Sequence, residues 1–325
     1  LIFFDFLTIT IKWSRQNFLA HPLQVLIHCL PIRLLIDNYS HPCRIRRTWA
    51  GLFQRWGERM SKTAFKDKVK RNVAGNFDQS FQIYQDFEDK YRFFNRLTLK
   101  MAESIGLKKG SSVLDVGCGN GISPKALNDQ FGCRVLGVDL SEQMIAAGKA
   151  LCTSPDIRLI QGDGETLSRI VDDQRFDYVL YNASIFIFPD VDATLDESVK
   201  CLRAGGKIAF SFYPQLLGES DEDLMSVAYK RLGEPEPRFR VITDYDKASR
   251  ALEDRCGNIR HHQWVRPFDV GFLQDFFSIP AQSASLFPGL GYEARRERVI
   301  QLFSGLGDMQ DTGRIVWRIA EAVKC

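Results

Sequence analysis

The 325-residue chain is predicted to fold as an α/β protein built on a doubly wound, seven-stranded Rossmann-like sheet whose last strand runs antiparallel. Two observations predict this. From Lys108 onward, short β-rich runs alternate with helical stretches. The runs are also almost continuously apolar, as parallel strands buried on both faces must be. Right-handed crossovers between such strands place helices on both sides of one sheet.

The elements follow in order. SSVLDVG (111–117) reads as the first strand and ISPKALNDQFG (122–132) as its helix. RVLGVDL (134–140) is the second strand, and SEQMIAAGKALC (141–152) is a helix with Ser141 as N-cap. IRLIQGD (157–163) is the third strand, followed by a short helix from Glu165 to Val171. FDYVLYN (176–182) is the fourth strand, and VDATLDESVKCLR (191–203) is a helix closed by Gly205 and Gly206. KIAFSFY (207–213) is the fifth strand, IRHHQWV (259–265) a sixth, and GRIVWRIAEAV (313–323) the seventh.

The corresponding domain plan is 1–59 as a separate segment and 60–325 as the enzyme. Within the latter, 70–108 is a helical cap, 109–213 the ligand-binding core, 214–310 a substrate and lid region, and 311–325 the last strand. Residues 1–59 carry a net charge of +5, and the rest of the chain carries −2. The segment before Met60 is read as upstream sequence translated in frame, with a basic, aromatic membrane-surface segment as the alternative. Its apolar run over 22–36 is interrupted by His28, Pro31 and Arg33 and falls short of a membrane span. The mildly acidic remainder lacks the clustered positive footprint that a phosphate backbone requires, so nucleic acid is not expected as a partner. The eight cysteines show no metal-ligand spacing, so no metal is expected, and they read as small buried residues in a reducing, cytoplasmic setting.

The chemistry gathers at strand ends. Gly117, Gly119 and Gly121 occupy the turn after the first strand, where missing β-carbons let backbone approach a ligand. Such a turn also suits a nicotinamide cofactor or no ligand at all. Three acids narrow the choice. Asp115 lies inside the first strand and suits an amino group and a sulfonium rather than a pyrophosphate. Asp139 ends the second strand, where a carboxylate can accept both ribose hydroxyls. Gly162 and Asp163 end the third, placing a carboxylate where an adenine amino group would lie.

VLDVGCGNG, GVDLSEQM, QGDGETL, FDYVLYNASIFIFPD and LRAGGKIAFSF resemble the ordered motifs of the class I S-adenosylmethionine-dependent methyltransferase superfamily. They are similar in particular to its small-molecule branch, which contains the quinone-biosynthesis and biotin-pathway enzymes. The resemblance covers about residues 70–213. It implies S-adenosyl-L-methionine as cofactor, with Asp115, Gly117 and Gly119 near the methionine moiety, Asp139 on the ribose, and Cys118 and Gly121 also counted among the cofactor-binding residues. Leu140 and Met144 would flank the adenine, Asp163 would bind its amino group with Gly162 and Gly164 also among the cofactor-binding residues, and Asn182 would face the reacting end. NFDQSFQIY (76–84) resembles the segment these enzymes fold over the cofactor, which makes Tyr84 a contact. Gly164 departs from the alanine that relatives often carry.

Methyl transfer from a sulfonium is an in-line displacement on an activated carbon, so alignment and water exclusion are the protein's main tasks. A base is needed only where the nucleophile must lose a proton; His261, His262 and Tyr213 are the candidates, although adjacent strand residues face opposite ways. Phe268, Phe272, Phe276, Phe277, Phe287 and Tyr292, with Trp264, are read either as an aromatic lid over a partly apolar small acceptor or as packing of that lid on the sheet. No N/D-P-P-Y sequence follows the fourth strand, which disfavours amino-methylation of DNA bases. Rival readings are a lipid or quinone methyltransferase at a membrane surface, a non-catalytic binding module, and an aminopropyl transferase or nicotinamide oxidoreductase on the same fold.

Overall fold

The computed structural model describes residues 62–237, 241–307 and 313–325. The reading of residues 1–59 lies outside them. A helix over 62–78 (α1) is followed by α2 (Phe81–Tyr91) and α3 (Phe93–Ser104). The alternating core then runs β1 (Ser112–Val116), α4 (Ile122–Phe131), β2 (Arg134–Asp139), α5 (Glu142–Leu151), β3 (Ile157–Gln161), α6 (Leu167–Val171), β4 (Phe176–Tyr181), α7 (Val191–Cys201) and β5 (Leu202–Ser211). After it come β6 (Gln215–Leu217), α8 (Leu224–Leu232), α9 (Tyr245–Cys256), β7 (Ile259–Phe268), α10 (Val270–Ser278), α11 (Pro280–Ser283), α12 (Tyr292–Ser304) and β8 (Gly313–Val323).

The sheet is doubly wound, as the alternation predicts. From β3 it passes through β2, β1 and β4 to β5, all parallel. β8 then pairs antiparallel with β5, and β7 pairs antiparallel with β8 along its whole length. The last strand in the chain is therefore an inner strand, and β7 forms the edge. One strand was not expected: β6 pairs with Arg314–Val316 of β8, prolonging the side of β8 that β5 occupies. At three residues it is too short to carry a periodic signal.

Several helix starts are set by polar side chains that accept otherwise unpaired backbone N–H groups. The Ser141 hydroxyl accepts from Met144 N at 3.1 Å, as its N-cap position predicts, and Asp190 accepts from Ala193 N at 3.0 Å. α7 ends at Cys201 rather than at the two glycines, because Leu202 already adopts extended backbone and begins β5. Among the described residues, no helix is long and apolar enough to cross a membrane.

Two cores flank the sheet. On one face Met101, Ile105, Leu127 and Val135 pack α3 and α4 against β1 and β2. The larger core joins Phe87, Phe93 and Phe94 to Phe272, Phe276 and Trp317. Phe93 stands 5.1 Å from Phe272 and 5.8 Å from Phe276 between ring centres. The aromatic residues of the 267–310 stretch are thus mainly packing. Phe268, Phe272, Phe276, Phe277 and Phe287 are all buried, and among the described residues of that stretch only Gln282 reaches the cleft described next.

Candidate active site

The carboxyl ends of β1 to β4 open into a cleft with about 950 Å³ of non-atom space, its mouth included. Such ends are where ligands bind in open α/β sheets. Of the residues expected around a cofactor, Tyr84, Gly117, Cys118, Gly119, Asp139, Leu140, Met144, Gly162, Asp163, Gly164 and Asn182 line it. Asp115 and Gly121 do not.

The three glycines of the first turn all have positive φ, but they differ in what their missing Cβ makes room for. A Cβ on Gly117 would sit 2.5 Å from Ser184 Cβ, and one on Gly121 would sit 2.6 Å from Cys152 Sγ. Those two positions serve the protein's own packing. At Gly119 a Cβ would meet nothing within 4 Å, so that open space belongs to the cleft. Gly164, the departure from the usual alanine, leaves room for the Phe188 ring, which a Cβ there would meet at 2.4 Å.

Asp139 is held from both sides. Gly119 N donates to its Oδ2 at 2.8 Å and Ser141 N donates to its Oδ1 at 2.9 Å. Each carboxylate oxygen keeps a second lone pair for an incoming hydroxyl. Burial raises the Asp139 pKa, while the N–H donors from Ser141 and Gly119 oppose that rise.

Asp163 is already engaged. Its Oδ1 accepts from Glu165 N at 2.9 Å and its Oδ2 receives the Lys70 ammonium at 2.7 Å. Lys70 also bonds Glu165 at 2.9 Å, and Lys66 bonds Asp190 at 2.6 Å. Two lysines of α1 therefore fasten that helix to the acidic rim of β3 and the start of α7. These contacts span more than ninety positions, and no local pattern announces them.

Asp115 lies behind the lining, 1 % exposed, and neither carboxylate oxygen has a hydrogen-bond partner. Burial, helped by the nearby Asp139 charge, pushes its carboxyl up to about 8. Asn120 Oδ1, on a lining residue 2 % exposed, is likewise buried without a partner, while its Nδ2 donates to Gln85 Oε1 at 2.9 Å. Buried acceptors without partners thus lie at and just behind the lining, where a ligand's donor could meet them. Asn120 sits inside the VLDVGCGNG segment, so its role was within reach of sequence reading.

Asn182 lines the cleft, yet its polar atoms are committed elsewhere. Its Nδ2 donates to Thr98 Oγ1 at 2.7 Å and to Ser123 Oγ at 2.8 Å, and its Oδ1 accepts from Ser211 Oγ at 3.1 Å. It locks β4 to α3 and β5 rather than offering a free amide. The next residue, Ala183, has φ 56, a left-handed conformation that is strained for alanine.

Tyr84 stacks on Phe94 at 4.7 Å with a 14° interplanar angle, and both rings line the cleft with Phe77 and Phe188. Burial and the carboxylates of Glu88, Asp139 and Asp115 push the Tyr84 phenol well above its usual range. Burial does the same to the Cys118 thiol.

The three base candidates lie elsewhere. His261 Nδ1 is 2.7 Å from the Tyr245 hydroxyl, and His262 Nε2 is 3.2 Å from Glu321 Oε1; both sit on the edge strand β7. Tyr213 lines a different cavity. None of the three lines the cleft, because β7 is two strands removed from β5 and Tyr213 turns behind the loop that follows β4.

Residues 114–210 match the methyltransferase domain family. The chain is 28% identical over 158 residues to phosphoethanolamine N-methyltransferase 2 of Caenorhabditis elegans, covering 48% of this chain and 32% of that protein. It is 30% identical over 145 residues to the demethylmenaquinone methyltransferase of Staphylococcus aureus strain JH9, covering 41% and 59%. With the Staphylococcus carnosus enzyme of the same name the identity is 34% over 142 residues, covering 43% and 56%. The chain therefore spans about a third of the nematode protein and under two thirds of the bacterial ones. Among solved structures, the YcgJ protein from Bacillus subtilis aligns with a TM-score of 0.48 at 14% identity, over 70% of this chain and 98% of that one.

Proposed function

We propose, from the match of residues 114–210 to the methyltransferase domain family, that this chain is a class I enzyme that transfers a methyl group from S-adenosylmethionine to a small acceptor. The observation that carries the reading is the unpaired acceptor set beside the glycine turn, Asp115 and Asn120 Oδ1, next to the doubly held Asp139. A buried acceptor without a donor costs about 1–3 kcal/mol, more for a charged group, and a cationic amino acid moiety removes that cost. In this assignment Asp139 takes the ribose hydroxyls and Leu140 and Met144 flank the adenine. Asp163 meets the adenine amino group while sharing its charge with Lys70. Gly119 gives the open approach, Gly117, Cys118, Gly162 and Gly164 contribute backbone to the lining while their neighbours Ser184, Ile170 and Phe188 fill the space beside the glycines, and Asn182 is a positioning residue.

When bound, the cofactor supplies an activated methyl carbon. The residues of this chain align the acceptor and exclude water. Burial disfavours the charged forms of Tyr84 and Cys118, Lys70 is paired, and Asp139 is engaged by backbone donors. The reading is therefore an acceptor that brings its own lone pair or carbanion, such as a carboxylate, a free amine or a stabilised ring carbon. The Phe77, Tyr84, Phe94 and Phe188 wall favours a partly apolar acceptor, in place of the lid aromatics. A quinone-type ring is the second reading, favoured by the similarity to the demethylmenaquinone methyltransferases. A screen of metabolite extract with methyl-labelled donor tests both. Label must enter a small molecule with the wild-type chain and not with Asp139→Ala. Equal labelling by the two, or label in no small molecule, sinks the reading.

A further inference from the structure

A second cavity opens on the far side of the loop after β4, with about 1110 Å³ of non-atom space that includes its mouth. Phe212, Leu216, Ile242, Thr243, Tyr245 and Arg318 line it. Phe186 packs on its wall, 5.5 Å from Phe212 and 5.3 Å from Tyr213 between ring centres, and the neighbouring Ile187 and Phe188 line the first cleft.

Arg318 is the unusual feature. Its guanidinium lies 4.0 Å over the Tyr245 ring and 5.8 Å from the Phe212 ring, and the Tyr245 ring is held by the bond between its hydroxyl and His261. Among the described residues the guanidinium makes no hydrogen bond and no ion pair, and its Nε is buried without a partner. Arginine does not escape such a cost by losing its proton. A guanidinium packed over an aromatic ring still offers its N–H groups as a planar fork that matches two oxygens of one anion. A second donor waits in the same cavity: the Thr243 hydroxyl is buried, the residue is 5 % exposed, and it too lacks a partner. The cavity's carboxylates, Asp223 and Asp244, cap helices, accepting from Met225 N at 3.0 Å and from Lys247 N at 2.7 Å, and the charges of Asp244 and Asp246 act on Arg318 without bonding it.

We propose that this cavity is a second ligand site, separate from the methyl-donor cleft, that takes a small organic anion: a carboxylate or phosphate carried on an aromatic or apolar body. Arg318 receives two anion oxygens on its fork, Thr243 donates to one of them, and Phe212, Leu216 and Ile242 hold the body. The ligand satisfies in one step two donors that the protein alone leaves unpaired, which selects anions over neutral molecules of the same shape.

The test uses benzoate, phenyl phosphate and uncharged benzyl alcohol as probes in calorimetric titrations of the full chain. Thermal melts establish that each variant is folded, a control independent of any methyl-donor binding. The expected result is saturable binding of at least one anion, none of benzyl alcohol, and at least about tenfold weaker anion binding in Arg318→Gln, the loss of a charged hydrogen bond. If Arg318→Gln melts as an unfolded chain, Arg318→Lys and Thr243→Val decide; each must weaken the anion at least about threefold. No saturable anion binding by the wild type, or unchanged binding in the folded variants, overturns the proposal.

Discussion

The cleft at the strand ends and the aromatic core beneath α10 lie on the same sheet and are built on opposite terms. In the core, Phe93, Phe276 and Trp317 are fully buried, and their rings meet at ordinary aromatic distances. At the cleft, Asn120 on the lining and Asp115 behind it leave buried acceptors unpaired, and Ala183 holds a left-handed backbone. The core has its own exceptions, the buried Trp317 Nε1 without a partner and the left-handed Arg92, but Trp317 and Arg92 line none of the cavities described. Unpaired acceptors beside an open cleft are what mark a place for a ligand. The core supplies the stability that lets the cleft remain unsatisfied.

If that division holds, the core and the cleft respond to substitution differently. The largest effect belongs to the core. Phe276→Ala removes a fully buried ring and lowers unfolding free energy by about 3–5 kcal/mol, read from denaturant midpoints, while the folded fraction keeps its donor affinity. Loss of donor binding without loss of stability would erase the distinction.

Asp115→Asn comes next and has the opposite sign. Its carboxyl stands at about 8 in the folded chain against an ordinary 3.8, so the folded state holds the proton more tightly. The resulting stability is complete below about pH 4 and is lost as pH rises through about 8. Urea titrations across that window should show the wild type falling and Asp115→Asn staying flatter, with a gap of a few kcal/mol at the alkaline end. Donor binding should weaken in the same variant. In the wild type near pH 7 it should release a proton, seen as a dependence of binding heat on buffer ionisation.

Gly119→Ala sharpens the comparison within the cleft. It costs roughly 1–2 kcal/mol through its positive φ, and it should weaken donor binding more than it weakens the fold, since its Cβ points into open space. The smallest effect is at Ala183, where glycine relieves the left-handed strain and raises stability by about 1 kcal/mol at most, by thermal melt.

What sequence reading reached and what it missed separate along the same line. The strands, the Ser141 cap and the glycine turn are set by neighbours within a few residues, and the alternation of runs announces them. The acids Asp139 and Asp163 follow once strand ends are located, because parallel strands bring their ends to one rim. Lys66 and Lys70 were illegible, since their partners depend on where α1 lies across the sheet. Aromatic residues in 267–310 carry one hydrophobic pattern whether they face a ligand or Phe93, so only packing distinguishes a lid lining from a core. The histidines misled because a strand's polar residues mark an edge as readily as a site.

The dissociation constant of S-adenosylmethionine for the wild type and for Asp139→Ala, measured side by side on folded protein, tests the central claim most directly. Micromolar-range or tighter binding that weakens at least about tenfold on substitution is the predicted result, a carboxylate losing two hydroxyl donors. Equal affinity in the two proteins, or no binding by either, would contradict it.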